Sequence, residues 1–247
     1  MLNPLEYIVV IPARYQSTRL PGKPLVPLHG VPMVVRTWRQ CTKVVAPELV
    51  YVATDDERIY SACEKEGIQV LKTSSDCLTG TDRVAEVATQ IDANLYINVQ
   101  GDEPVFNPAD LKALIDASLI YPGEILNGIC AIGNEEFFRS GSIPKVVTRP
   151  DGRLLYMSRA PIPATKSGQF VRAWRQVCAY AFPRSALQAF AIHPEKTSLE
   201  SVEDIEILRF LELGHDVRMI PMSDYSVAVD NPEDVARAEA AIKQMGL

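Results

Sequence analysis

Between residues 7 and 99 the chain alternates short apolar runs with segments of helical spacing, and this alternation restricts its fold more than any other feature. The runs YIVVIP (7–12), LVYVAT (49–54), QVLK (69–72) and LYINV (95–99) have strand length. Between them, PMVVRTWRQCTK (32–43), DERIYSACEKEG (56–67) and TDRVAEVATQI (81–91) carry apolar residues at helical intervals; Val84, Val87, Ala88 and Ile91 share one face. Strands that alternate with helices predict βαβ units, and so an α/β fold with a mostly parallel central sheet and helices on both faces. The runs are apolar almost throughout rather than at every second residue, as burial on both sides requires.

After about residue 124 the rhythm changes. ILNGICAIG (125–133), PKVVTR (144–149), RLLYMSR (153–159) and QVCAYAF (176–182) follow with little helix between them and turn signals such as Pro150-Asp151-Gly152. This predicts a mixed or antiparallel lobe or insert at about 125–182. SVEDIEILRFLELG (201–214) reads as one amphipathic helix stopped by Gly214, and VRMIPM (217–222) as a strand. DNPEDVARAEAAIKQMG (230–246) reads as a helix with Asn231 at the N-cap, Pro232 at its first position and Glu233 and Asp234 at its positive end. A length of 247 residues with 47% hydrophobic content suits one compact unit, or a core with an appended lobe.

Several function classes recede at this point. No run approaches the ~18 apolar residues of a membrane span, and MLNPLEYIVV is not a basic region followed by a signal-type apolar segment, so a cytoplasmic protein is expected. Cys41, Cys63, Cys77, Cys130 and Cys178 are scattered and never form C-x-x-C, which argues against a disulfide framework or a zinc site and for buried small apolar residues. His29, His193 and His215 make no nucleophile–base pattern and read as structural or surface residues. With 31 acids against 25 bases, a net charge of −6, the surface should repel nucleic acid.

Against that acidic background, IPARYQSTRLPGKPL (11–25) places Arg14, Arg19 and Lys23, with Ser17, Thr18 and Gly22, directly behind the first strand. In an open α/β sheet this loop is a usual phosphate holder. Arginine forks and a mobile lysine suit a polyphosphate, and Gly22 lets the backbone approach it. The plainer reading is a solvated basic loop. The chain has no G-x-x-x-x-G-K-[ST], and no G-x-G-x-x-G follows the first strand, which argues against a P-loop and against a dinucleotide oxidoreductase. NVQGDEP (98–104) sets Asp102 just past the fourth strand, as a Mg²⁺ ligand or as a turn residue. Asp230, in VAVDNPED, likewise reads as a metal ligand or as a helix-entry residue.

IPARYQSTRLPGKPL, VATDDERI (52–59), GTDRVAEV (80–87), NVQGDEP, SRAPIP (158–163) and VDNPED (229–234) together resemble the 3-deoxy-manno-octulosonate (Kdo) cytidylyltransferases, in the family's order. The resemblance implies a nucleotide-binding three-layer fold, a single cytidylyltransferase domain over 1–247 with a smaller dimerisation lobe, and a homodimer. It implies that CTP and a 2-keto-3-deoxy sugar acid give the CMP-sugar and pyrophosphate, as in lipopolysaccharide biosynthesis. Arg14, Arg19 and Lys23 would hold the triphosphate, Asp102 and Asp230 would hold Mg²⁺, and Ser17, Arg83 and Gln100 would lie by the nucleotide. Arg159 would meet the sugar's carboxylate, with Gln176, Tyr180 and Glu206 also on the sugar side; Arg83 equally reads as a first-turn surface residue and Tyr180 as a core aromatic.

The chain departs from the family on that side. QVCAY (176–180) puts Gln176 where a histidine is typical, and DIEILR (204–209) puts Ile207 where a glutamine is typical. The acceptor could therefore be Kdo or another acid, such as an amino-Kdo, a nonulosonic acid or a phosphonate. A non-catalytic nucleotide-binding regulator is the reading from a different class.

Overall fold

The computed structural model describes residues 5–17, 19–225 and 227–247. In chain order its strands are β1 (Leu5–Pro12), β2 (Pro27–Leu28), β3 (Val31–Pro32), β4 (Val50–Thr54), β5 (Gln69–Lys72), β6 (Ala93–Val99), β7 (Ile125–Ala131), β8 (Lys145–Thr148), β9 (Leu154–Ser158), β10 (Trp174–Pro183) and β11 (Val217–Pro221). Its α-helices are α1 (Met33–Cys41), α2 (Glu57–Lys65), α3 (Gly80–Gln90), α4 (Pro108–Ile120), α5 (Glu135–Arg139), α6 (Arg184–Ala191), α7 (Ser198–Glu203), α8 (Ile207–Glu212) and α9 (Pro232–Met245). The fold is the expected α/β type, with a mostly parallel sheet and helices on both sides. Among the described residues no helix is long and apolar enough to cross a membrane.

The chain divides into two compact units, Met1–Lys112 with Tyr225–Leu247, and Ala113–Asp224. The segment 125–182, where the sequence changes rhythm, lies inside the second.

In the first unit the strands run β6-β1-β4-β5, all parallel. The chain steps from β1 to β4 and β5 on one side, then returns to β6 on the other. The order reverses between β1 and β6, so the ligand crevice of such a sheet falls beyond the carboxyl ends of these two strands. Ile8, Val9, Val10 and Ile11 are all fully buried, because β1 is covered on both faces. Each such side chain contributes roughly 1.5–3 kcal/mol by leaving water. Local chemistry fixes the helix starts. Thr79 and Asp82 form a capping box on α3, and Asn231 and Asp234 form one on α9, with Pro232 in the first turn as the sequence predicts. The β2–β3 hairpin turns through His29 (φ 45°) and Gly30 (φ 78°), as a two-residue turn with positive φ at both positions does. His29 N–H donates to Glu239 Oε1 at 2.9 Å, which fits a structural histidine.

In the second unit β10 pairs antiparallel with β7 and β8, β8 pairs antiparallel with β9, and β11 is parallel to β7. The register of β10 slips between Val177 and Tyr180, a bulge. Tyr180, Phe182, Phe210 and Phe190 pack ring to ring, with successive centroids 4.9 to 5.5 Å apart.

Three expectations need correction. The single helix expected over 201–214 is two, because a capping box starts α7 earlier, at Thr197, and Asp204 (φ 51°) ends it. A fully buried ion pair from Arg209 to Glu200, 2.6 Å, ties the two pieces together. Helices α4, α5 and α6 were not predicted at all. In α4 Leu111 and Leu114 are buried while Leu119 and Ile120 are 66% and 68% exposed, so its apolar residues mark no single face. Cys41, Cys63 and Cys130 are buried as expected, but Cys77 and Cys178 are only half-buried. Burial pushes the Cys41, Cys63 and Cys77 thiols up to about 12, which suits inert packing residues.

Candidate active site

The site in the first unit forms where the loop after β1 meets the turn after β6. Gly101 makes the meeting possible: a Cβ there would come within 2.8 Å of the Pro12 carbonyl oxygen, so only glycine lets the turn close on the end of β1. Asp102 follows at once. Its carbonyl accepts the Val229 N–H at 3.0 Å, which draws the segment entering α9, and with it Asp230, to the same place. Val229 is anchored below by Leu28, Met33, Val105, Ala238 and Ile242.

Lys23 joins the two acids. Its Nζ donates to Asp102 Oδ2 at 2.5 Å and to Asp230 Oδ1 at 3.1 Å, and Arg19 Nη2 donates to the same Asp230 oxygen at 3.1 Å. Burial works to lower the Lys23 pKa, but the charges and hydrogen bonds of Asp102 and then Asp230 outweigh it, and the pKa stands above the usual lysine value. The ammonium is therefore fully charged at neutral pH. Arg14 lies exposed in the same loop. Ser17 Oγ accepts the Leu20 N–H at 3.3 Å and shapes that loop; Thr18 lies outside the described residues.

Two further nucleotide-side candidates sit nearby in the fold. Gln100 lies against the start of α3, where a Cβ on Gly80 would be 2.8 Å from its Nε2. Arg83 points inward: its side chain is 4% exposed, Nη2 pairs with Asp55 Oδ1 at 3.1 Å, and Nη1 donates to the Thr73 hydroxyl. It fastens the ends of β4 and β5.

The second unit holds the candidates for the sugar side. Arg159 donates from Nε to the Glu203 carbonyl (2.5 Å), from Nη1 to those of Gly141 (3.1 Å) and Ser142 (3.4 Å), and from Nη2 to that of Asp204 (3.0 Å). A bidentate grip on a carboxylate, as the resemblance implies, needs some of these bonds released. Glu203 braces the same strand end, accepting from Ser158 Oγ (2.5 Å) and the Arg159 N–H (2.8 Å). Lys145, fully buried, gives its three N–H bonds to the carbonyls of Ser140, Ile143 and Arg159. Burial first, and then the charge of Arg159, hold its pKa below the usual lysine value. Four consecutive carbonyls, 140 to 143, thus rest on two cations.

Gln176 is 6% exposed and donates from Nε2 to Asn127 Oδ1 (3.0 Å) and Tyr180 Oη (3.1 Å). Asn127 in turn spends both Nδ2 hydrogens on the carbonyls of Val177 and Ala179, at 3.0 Å each, across the β10 bulge. The backbone thereby orients Asn127, and Asn127 orients Gln176. Glu206 is half-buried at the N-cap of α8, and Ile207 is fully buried. Sequence reasoning missed Asn127, Lys145 and Glu203. A signal existed for the first two, since a polar residue inside an apolar strand, as in ILNGIC or PKVV, must find partners when buried.

The family model described as Cytidylyltransferase matches residues 8–217. The 3-deoxy-manno-octulosonate cytidylyltransferase of Myxococcus xanthus is 40% identical over 243 residues, 97% of each chain. The 8-amino-3,8-dideoxy-manno-octulosonate cytidylyltransferase of Shewanella oneidensis is 37% identical over 95% of this chain and 98% of its own. Among solved structures, a CMP:2-keto-3-deoxy-manno-octonic acid synthetase complexed with CTP superposes with a TM-score of 0.89 at 34% identity, over 97% of this chain and 99% of that one. The basic loop, its facing carboxylates and this agreement along nearly the whole length lead to one conclusion: the chain belongs to the Kdo cytidylyltransferase family.

Proposed function

We propose that the protein transfers CMP from CTP to Kdo or a related 2-keto-3-deoxy sugar acid and releases pyrophosphate. The observation that carries this reading is the Lys23 ammonium bridging Asp102 and Asp230, with Arg19 on the same oxygen, beyond the ends of β1 and β6. Arg14, Arg19 and Lys23 bind the triphosphate and receive charge as pyrophosphate departs. The anomeric hydroxyl oxygen bonds to the α-phosphorus, the bond to the oxygen bridging to the β-phosphate breaks, and the hydroxyl proton passes to solvent. Such a transfer needs positioning and charge neutralisation more than a protein nucleophile.

Asp102 and Asp230 meet one ammonium, so their oxygens surround a common point. Two carboxylates plus phosphate oxygens are a donor set that Mg²⁺ accepts. Among the described residues no group of three or more His, Cys, Asp or Glu could hold a metal. Asp102 and Asp230 are the residues that would hold the ion, with nucleotide phosphates as further oxygen donors. Bound there, Mg²⁺ would neutralise phosphate charge and make the sugar hydroxyl easier to deprotonate.

On the acceptor side Arg159 takes the carboxylate and Tyr180, Gln176 and Glu206 the hydroxyl-bearing chain. Both Nε2 hydrogens of Gln176 are committed, so it meets a ligand through Oε1, as an acceptor. A hydroxyl or an ammonium can donate to it, which keeps Kdo and its 8-amino relative in view together. A homodimer belongs to the same reading and is measured by light scattering. The deciding experiment supplies CTP and Mg²⁺ with Kdo, 8-amino-Kdo, a nonulosonic acid and a phosphonate, reads pyrophosphate release, and identifies the product by mass. Tight CTP binding with no pyrophosphate from any acceptor would favour a nucleotide-binding regulator instead.

A further inference from the structure

We propose that Arg58 is a positioning residue for the triphosphate loop, acting through Tyr15 without touching the nucleotide. The inference rests on the reading of that loop as the CTP site. Two backbone hydrogen bonds fix the ends of the loop from Ala13 to Gly22. Ala13 N–H donates to the Ala53 carbonyl at 2.9 Å, and Gly22 N–H closes the loop on the Tyr15 carbonyl at 3.0 Å. Gly22 turns there with φ 70°, and the next residue is Lys23. The position of Tyr15 therefore sets the point from which Lys23 departs toward Asp102 and Asp230.

The Tyr15 ring is gripped twice. A Cβ on Gly22 would lie 3.0 Å from Tyr15 Cζ, so the ring packs directly against the glycine backbone. The Arg58 guanidinium lies 3.3 Å from the ring centroid. Arg58 is itself aimed from behind: Nε and Nη2 donate to Asp56 Oδ1 and Oδ2 at 3.0 and 2.7 Å, while Asp56 Oδ1 also accepts the Arg58 backbone N–H at 2.9 Å as the cap of α2. Asp56 thus passes the rigidity of α2 to a planar cation, and the cation passes it to the loop. Only arginine can fork onto a carboxylate and stack on an aromatic face at once. The Arg58 side chain is 60% exposed, so removing it empties no core.

Arg58→Met should raise KM for CTP about two- to fivefold, the range set by a cation–π contact at an exposed site, with kcat, KM for the acceptor and the melting temperature holding near the parent's. Tyr15→Leu should do the same, Tyr15→Phe should match the parent, and Arg58→Lys should recover part of the loss. The Arg58→Met/Tyr15→Leu double variant should be no worse than either single one, since both remove one interaction. Additive losses in the double variant would mean that Arg58 meets CTP directly and would overturn the proposal, as would an unchanged KM in Arg58→Met. Calorimetric titration of the parent with CTP separates the two levels. Parent binding with unaltered Arg58→Met binding defeats only the positioning role, whereas no parent binding defeats the loop assignment and this inference with it.

Discussion

Lys23 holds two carboxylates with one ammonium, and its removal has two separable effects. Lys23→Met leaves Asp102 and Asp230 facing each other without their shared donor, which should cost about 1–3 kcal/mol of stability. On the proposed triphosphate role of Lys23, its loss should also lower kcat roughly 10²–10³-fold. Added Mg²⁺ should restore the melting temperature, because a cation again sits between the acids, but not the rate. Recovery of both would show that Lys23 matters only as a counter-charge. The residues that build this cluster were legible in the sequence because Arg19, Lys23 and Asp102 follow strands that the sequence also announces, while Asp230 stands at the capped start of α9. Arg83 and Arg159 were less so. A sequence shows that an arginine is present but not where its fork is spent, and here one is spent on Asp55 and Thr73, the other on four backbone carbonyls.

At the scale of elements, most strands and helices with one-sided or continuous apolar patterns were readable, although the short α6, which buries Ala186, Leu187 and Phe190, was missed. Helix α4 spreads its leucines around the axis, and the break at Asp204 depends on a left-handed backbone that no periodicity records. Ion pairs join elements in ways the sequence also hides. Glu124, before β7, accepts from Arg218 of β11 at 2.6 Å and from Arg153, ahead of β9, at 3.0 Å. Arg218 chiefly, and Arg153 beside it, hold the Glu124 carboxyl below its usual 4.5. The folded state then binds fewer protons than the unfolded one just below that value. The stabilisation is thus complete above about pH 4.5 and is lost as pH falls through the depressed folded value. Glu124→Gln should cost about 1 kcal/mol at pH 7, modest because the group is partly exposed, and this cost should shrink as acid is added. Urea titrations at pH 7 and at successively lower pH measure this. A gap between parent and variant that persists undiminished in acid would contradict the ion-pair account.

The molecule as a whole assembles its candidate site from distant parts of one chain. Lys23 reaches Asp102 across 79 positions and Asp230 across 207. Contacts of such range form late, since loop entropy must be overcome before they reward it. In refolding from urea, far-UV circular dichroism should therefore recover before CTP binding, followed by stopped-flow dilution into nucleotide; simultaneous recovery would refute the order. The same separation governs the protein's first moments. A nascent chain, extended N-terminus first at about 5–20 residues per second, presents Lys23 and Asp102 early and then carries half a site while the whole second unit is translated. Asp230 arrives on the order of ten seconds later. Until then a growing polypeptide lacks the second acid, so on the proposed function ribosome-bound chains that end before Asp230 should be unable to turn CTP over however well their first strands have folded.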